Sequence, residues 1–437
     1  MKRRTYLLAT AATVAVAGCM SSGDDEPEDE ESDDTDPRPE PGESDDHDDT
    51  DEASREEDDD EDEEDEEDED SSDDEPEKAG TFDEFDDLSA WDAVYGSVSA
   101  DSDRAYVGSQ SAFLEVGSAM EESDPQVRLS RTFDTPKDLT EVVPGLAVTA
   151  ERMVSPVIQV YDSTGDRIDY RRAVTGDLPF MRYNYGVSEV YGDPDLSDVT
   201  EIRLVLWDDE GEREFWADDL HFVPRPDTGK VMIQFDDGHD TDYTRGLPVL
   251  EEYGYEAASF INPGRVGNRN RLDAEQVDAL DEAGWTIANH SYTHPHLSEL
   301  SPSRQEVEIR NGKRWLEDHG YDEGARYFAY PFGDYDATTV ELVEQYHDLG
   351  FAGGQPVQGY NANPLMCTRI GDPSAERAET MLDRTAEMRG ITCLFYHRLE
   401  GQRYSDFKAA IEHLHDLESA GEIDLILPSD LEDDLVF

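Results

Sequence analysis

Basic residues are scarce in this chain. Lysine and arginine number 35 among 437 residues, against 109 Asp and Glu, for a formal net charge of −74 at pH 7. So acidic a surface repels phosphate backbones and anionic headgroups, which argues against nucleic acid and anionic membranes as direct partners. Cysteine is nearly absent: there are three, and Cys19 closes a leader-like segment, leaving Cys367 and Cys393. Two thiols make no disulfide scaffold, although an oxidising exterior would allow one bridge. Long apolar runs are missing too. The stretch Thr5 to Ala17, behind Lys2, Arg3 and Arg4, is too short to span a bilayer.

Two adjacent arginines followed by TYLL resemble a twin-arginine export signal. Val16-Ala17-Gly18-Cys19 resembles a lipoprotein signal box, which makes residues 1–19 a signal peptide and Cys19 the lipidated new N-terminus. The protein would then sit on the outer face of the cell membrane, held only by that lipid; a plain cleaved signal is the alternative. Residues 21–80 hold 37 Asp/Glu and three Lys/Arg, and residues 81–437 hold 72 acids and 29 bases. The acidity therefore belongs to the folded part as well, a composition resembling that of proteins from extreme halophiles. Salt would screen the self-repulsion, over a Debye length of about 3 Å at 1 M. Residues 20–80, mostly Asp, Glu, Ser and Pro, cannot bury a core and are expected to be a disordered acidic linker.

From residue 81 to about 225 the texture is all-β. SAFLEV (111–116), PVIQVY (156–161), EIRLVLW (201–207) and EFWADDLHF (214–222) alternate polar with apolar and are separated by Gly, Asp and Pro turns. The stretch resembles the galactose-binding-like jelly-roll sandwiches that accompany carbohydrate enzymes. Trp91, Tyr106, Tyr185 and Trp207 are candidates to stack on sugar rings, or else packing residues. The ADD at 217–219 is a calcium candidate or a solvated strand end.

Residues 226–437 change period. VMIQF, AASFI, WTIAN, YFAY, FAGG, MCTRI, ITCLFY and DLIL alternate with helical segments ending at Gly254, Gly284, Gly320, Gly350, Gly390 and Gly421. Ser303 with Glu306 suggests a capping box. Strand–helix units of this length imply parallel strands, and some 210 residues are few for an eight-fold barrel of typically about 250. A distorted, incomplete (β/α) barrel is the expectation.

Polar clusters recur where these strands end. Asp236-Asp237 follow the first, His290 and His294 the third, Pro331-Phe332-Gly333 the fourth, and His397 closes ITCLFYH. That is the face on which such barrels build active sites. The H-x-x-x-H spacing alone is more often a surface pair or a helix cap. On a helical turn, however, both rings would face one point. Asp237 would add an oxygen, leaving open positions as a catalytic zinc site requires. Asp236 would then stand beside the attacking water as its base, and His397 could protonate a leaving amine or alkoxide. His296 would point elsewhere, into a loop. Together these groups describe metal-assisted hydrolysis of an acyl group.

FDDG (235–238), HSYTH with PHL (290–297), FAYPFG (328–333) and LFYH (394–397) resemble, in order and spacing, the motifs of polysaccharide deacetylases, the carbohydrate esterase family four with its NodB-type domain. The resemblance covers roughly residues 229–437. It implies Asp236 as general base, Asp237, His290 and His294 as ligands of one divalent ion, foremost Zn2+, and His397 as general acid. Tyr330, Pro331 and Phe332 would bind substrate, with Pro331 and Phe332 as groove wall and the Phe332 N–H stabilising the oxyanion. It departs from the family at Gln234, where threonine is usual, and in having no arginine inside FAYPFG. Arg369 is the candidate tether of the base, against a plain surface ion pair. No Asp-Trp motif identifies a partner for His397. The implied activity is N-deacetylation of a glycan. An O-acetyl esterase, or a glycan-binding surface protein without activity, is the alternative. Oligomeric state is not readable from the sequence.

Overall fold

The computed structural model describes residues 77–117, 125–208 and 213–437. The readings made for residues 1–76, lipidation at Cys19 included, lie outside the described residues. Among those described, no helix is long and apolar enough to cross a membrane.

The alternating segments before Pro224 form two antiparallel six-stranded sheets. One runs Ser97–Asp101, Ser111–Glu115, Glu214–Pro224, Val142–Thr149, Met181–Tyr183, with Gly80–Asp83 also paired to Glu214–Pro224. The other runs Gly186–Tyr191, Arg167–Arg171, Val157–Asp162, Val199–Trp207, Gln126–Lys137, Asp92–Tyr95. Every second side chain points inward, and Leu114, Leu146, Phe215 and Phe222 of the first share one core with Leu129, Ile158, Val160, Ile202 and Leu204 of the second. That cluster does not stop at the sheets. It continues into Leu297, Ile309, Phe328, Tyr330, Val343 and Met366 of the following α/β part.

Burial decides two of the four candidate aromatics for packing. Trp91 and Tyr185 are core residues, and Trp91 stacks on Phe85 while its Nε1 donates to Asp83. Trp207 is half-buried, and Tyr106 alone of the four is exposed. The two aspartates of ADD are fully buried, so this is no solvated strand end. Their oxygens are engaged by protein donors rather than left for calcium. Asp218 accepts the N–H groups of Tyr106 and Val107, and Asp219 pairs with Arg182 at 2.6 Å.

The remaining strands are parallel, in the order Leu349–Phe351, Tyr327–Ala329, Thr286–Asn289, Ala258–Ile261, Gly229–Asp236, Ile391–Tyr396, Ile370–Gly371. Ile423–Leu425 lies beside the start of Gly229–Asp236. The sheet curls into an irregular barrel, and a bridge between Phe351 and Cys367 ties one edge to the run entering the other. Side-chain alternation sends Met232, Phe260, Ala288, Phe351 and Cys393 inside. Val231, Ile233 and Phe235 go outward, against Leu382 of helix Ala375–Met388 and Phe407 and Ile411 of helix Gly401–Ser419. Cys367 and Cys393 are both buried and free, so no bridge joins them.

Helix ends follow the glycine pattern only in part. Gly320, at φ 89°, closes Pro302–His319 in the left-handed region. Gly350 instead lies within a strand, and Arg389, at φ 50°, takes the left-handed position expected of Gly390. Ser303 and Glu306 form no capping box, because Pro302 already occupies the first turn with Ser301 as N-cap. The boxes that form pair Asp273 with Gln276 and Asp336 with Thr339.

Candidate active site

Asp236 is the last residue of its strand and shares the inward parity of Met232 and Gln234. Its neighbour would normally point the other way. Asp237 does not, because its backbone turns left-handed at φ 72° and Gly238 follows at φ 59°. The two carboxylates thus reach one site from consecutive positions.

His290 and His294 converge by a route other than the expected helix. His290 follows the strand Thr286–Asn289, and the next helical turn begins only at Leu297. Left-handed Ser291 (φ 61°) and His294 (φ 66°) fold the loop back, and Ser291 Oγ accepts the His294 N–H at 3.1 Å. The rings come within 4.8 Å of each other, centroid to centroid. Of eleven non-glycine residues at positive φ among those described, Asp237, Ser291, His294, Phe332 and Asp372 all lie at this site. Such clustering of backbone strain marks functional ground.

Ligand atoms of Asp237, His290 and His294 all lie within 4.8 Å of one another. Asp237 Oδ1 is 2.9 Å from His294 Nε2 and 3.6 Å from His290 Nε2. It is nonetheless a buried oxygen with no aligned hydrogen-bond donor. The His290 Nδ1 donates to the Ala329 carbonyl at 2.8 Å, which leaves the Nε2 lone pair facing the cluster. Burial pushes the His290 pKa down to about 4, so the ring is neutral as a ligand must be. An orphaned carboxylate oxygen facing imidazole nitrogens fits a divalent cation.

On the inner side Arg369 Nη1 donates to Asp236 Oδ1 at 2.8 Å, and both side chains are almost wholly buried. Burial alone would raise the Asp236 pKa. The charge and hydrogen bond of Arg369 outweigh it and hold the carboxylate below its ordinary range. Gln234, one turn of the pleat deeper, also accepts from Arg369 Nη1, at 3.3 Å, and the guanidinium lies 4.2 Å from the Phe395 ring centre. Arg369 is therefore no surface ion pair.

His397 follows the strand Ile391–Tyr396. Its Nδ1 is 2.7 Å from Asp372 Oδ2, and Asp372 Oδ1 accepts the His397 N–H at 3.1 Å and meets Arg403 Nε at 2.9 Å. Burial works against charging the ring. The hydrogen bond and charge of Asp372, with Asp236 and Asp237 beyond, prevail and raise the His397 pKa above the usual imidazole value. Asp372 is the partner that no motif announced; the visible signal was a polar residue directly after the strand Ile370–Gly371. His239 and Arg271 also went unread, and they flank Asp237 at 3.3 and 3.7 Å from its Oδ2.

The expected substrate wall divides. Tyr330 is fully buried with its hydroxyl donating to the Leu365 carbonyl, and Pro331 is buried. Only Phe332 emerges, 42% exposed at φ 57°, stacked 4.0 Å from the half-exposed His296 and tilted against His294 at 4.3 Å. His296, expected to point away, thus extends the aromatic ledge beside the cluster.

A curled parallel sheet thus bears at its carboxyl ends a His–His–Asp cluster, an arginine-held carboxylate and a histidine–aspartate pair, which are a candidate metal centre, base and acid on one rim. Residues 224–351 match the family model for polysaccharide deacetylase. That match takes in Asp236, Asp237, His290 and His294 and ends before Arg369 and His397. The chain is 33% identical over 94 residues to the peptidoglycan-N-acetylglucosamine deacetylase of Bacillus cereus, covering 21% of this chain and 42% of that one. It is 30% identical over 143 residues to the poly-beta-1,6-N-acetyl-D-glucosamine N-deacetylase of Staphylococcus epidermidis, covering 28% and 49%. The chain thus spans about half the length of the curated relatives it matches. Among solved structures it is similar to a family 4 carbohydrate esterase from Streptomyces lividans in complex with acetate, with TM-score 0.35 and 21% identity over 46% of this chain and 94% of that one.

Proposed function

We propose that this protein is a metal-dependent hydrolase that removes N-acetyl groups from an extracellular amino-sugar polysaccharide. One observation carries the reading. A carboxylate held ionised by Arg369, Asp236, and a histidine whose pKa Asp372 raises, His397, stand with the same His–His–Asp cluster, so their surroundings suit one to the task of base and the other to that of acid. The matched relatives are named for deacetylation of N-acetylglucosamine polymers.

Asp237, His290 and His294 would hold a divalent ion, with zinc favoured by the two-histidine, one-carboxylate donor set. Such an ion, when bound, polarises an acyl oxygen and makes water more acidic. Asp236 takes the proton of the attacking water, its free oxygen aimed by the Arg369 bond on the other. His397 gives its proton to the departing sugar nitrogen, and Asp372 stabilises the imidazolium beforehand. The Phe332 ledge orients a sugar ring, and its N–H is the candidate donor to the oxyanion. The signal-like residues 1–19 and Cys19 would export the enzyme and anchor it by lipid, with the acidic stretch as spacer.

Acetate release tests this reading. The metal-loaded enzyme should liberate acetate from β-1,4- and β-1,6-linked N-acetylglucosamine oligomers or from peptidoglycan, and a chelator should abolish it. Release from acetyl-xylan alone would make it an O-acetyl esterase, and binding without release would make it a glycan-binding protein.

A further inference from the structure

Between Phe351 and Arg369 the chain runs seventeen residues, 352–368, without one charged side chain. In a protein that is one-third charged overall, with charged residues 33% of the total, such a segment is built to be covered. The antiparallel sandwich covers it. Arg172, fully buried, donates from Nη1 to the Gly353 carbonyl at 2.7 Å. Gly354 is wedged between this guanidinium and Thr368: a Cβ there would lie 2.5 Å from Arg172 Nη1 and 2.7 Å from Thr368 Cγ2. The Val187 N–H donates to the Pro356 carbonyl at 2.9 Å.

Asn184 is the centre of the contact. Its Nδ2 reaches Asn361 Oδ1 at 3.0 Å and the carbonyls of Asn363 and Met366 at 3.1 and 3.3 Å, while its Oδ1 accepts the Ala362 N–H at 2.8 Å. From there an unbroken buried chain runs inward. Gln358 Nε2 donates to Asn361 Oδ1 at 2.6 Å, and Thr368 Oγ1 donates to Gln358 Oε1 at 2.7 Å. Thr368 adjoins Arg369, which holds Asp236. Buried polar networks of this kind fix one geometry, because breaking any link leaves an unpaired group inside.

We propose that the sandwich is the clamp that sets Arg369 against Asp236, and that Asn184 is a positioning residue for the base although it lies in the sandwich, on the connection between the strands Met181–Tyr183 and Gly186–Tyr191. The proposal rests on the deacetylase reading for its rate consequence and on the hydrogen-bond chain alone for its structural one. Asn184→Ala should lower kcat for acetate release about tenfold, the scale of lost supporting hydrogen bonds, with KM and bound metal unchanged. In an Arg369→Ala background the same change should cost less than about twofold, because its target is gone. Asn184→Asp, which keeps the shape and the accepting oxygen but sets an acceptor against three acceptors, should behave like the alanine variant and serves if that one folds poorly. Amide exchange across 352–369 should speed up in both. Equal kcat losses in the two backgrounds, or wild-type kcat in Asn184→Ala, would overturn the clamp. If the wild-type enzyme releases no acetate from any glycan, the deacetylase reading fails, and the exchange of 352–369 still decides the clamp, which unaltered protection would refute.

Discussion

Replacing Asp372 by Asn tests the acid half of the site with the least change of shape. The carboxylate serves three donors: the His397 ring and backbone N–H, at 2.7 and 3.1 Å, and Arg403 Nε at 2.9 Å. An asparagine can keep one accepting oxygen in place but brings no charge to set against an imidazolium. The side chains of His397 and Asp372 are 26% and 20% exposed, so water screens the pair only in part. A hydrogen bond to a charged group is worth about 1.5–3 kcal/mol. At roughly 1.4 kcal/mol per factor of ten, losing it should cost about 10- to 100-fold in kcat on an amide. The same variant should lose far less on an ester with a good leaving group, which needs little help from an acid.

The direction of the pH effect follows from the cause of the shift. Asp372 raises the His397 pKa against the effect of burial. Without its charge the pKa falls, the acid form is lost at lower pH, and the alkaline limb of the kcat profile moves down. Toward acid pH the two enzymes should draw together as both histidines become protonated. The assay is acetate release against pH on preparations matched for metal content. An alkaline limb that stays in place or moves up would refute the assignment of Asp372, and equal losses on amides and activated esters would refute that of His397.

His294→Ala should fold but lose its metal, read by elemental analysis, because His294 lies on the loop after the strand Thr286–Asn289 and outside the apolar core; full occupancy would remove His294 from the ligand set. Asp236→Asn should keep its metal while turnover falls by a factor on the order of 10²–10⁴, whereas Asp237→Asn should bind metal more weakly and regain some activity in excess zinc. The reverse pattern would exchange the two roles. With 72 acids against 29 bases in residues 81–437, the melting temperature should rise between about 0.2 and about 3 M KCl as repulsion is screened. A flat or falling curve would contradict the halophilic reading.

What the sequence reveals and what it conceals divide along contact range. Strand–helix alternation is local, and six of the eight parallel strands stand close to where periodicity put them, while FAGG and MCTRI each share one residue with the strands Leu349–Phe351 and Ile370–Gly371. Asp236, Asp237, His290 and His397 were legible because each directly follows or ends an apolar run, and a barrel puts those ends on one rim. The reason given for His290 and His294 was not. Spacing of four suggests a helix, yet two left-handed residues do the folding, and no periodicity encodes φ. Packing, the commoner fate of such aromatics, holds at Trp91 and Tyr185, but Tyr330 was placed on the substrate wall and is buried, because an aromatic at a strand end reads the same facing sugar or facing core. Asp372 and Asn184 act across 25 and 177–182 residues of chain, respectively. Contacts of that range leave no local pattern, although the uncharged run 352–368 was an unused sign of a covered segment.

The placement of the few buried arginines connects the composition to the site. Where salt screens charges over about 3 Å, exposed ion pairs contribute little, and only pairs that water does not reach keep their strength. Among the described residues the buried arginines are Arg172, Arg225 and Arg369. The first two join the sandwich to the α/β part: Arg172 donates to the Gly353 carbonyl, and Arg225 to the Met388 carbonyl and the Tyr170 hydroxyl. Arg369 holds the base, with side-chain exposures of 4% and 3% for the pair. A buried cation is tolerable only where its hydrogen bonds are fixed in place, and at Arg369 those fixed places are Gln234, Asp236 and the clamped segment that delivers it. So acidic a surface can therefore coexist with a site whose buried ion pair salt screens little. The requirement this imposes is a rigid frame around Arg369, which the sandwich supplies from outside the barrel.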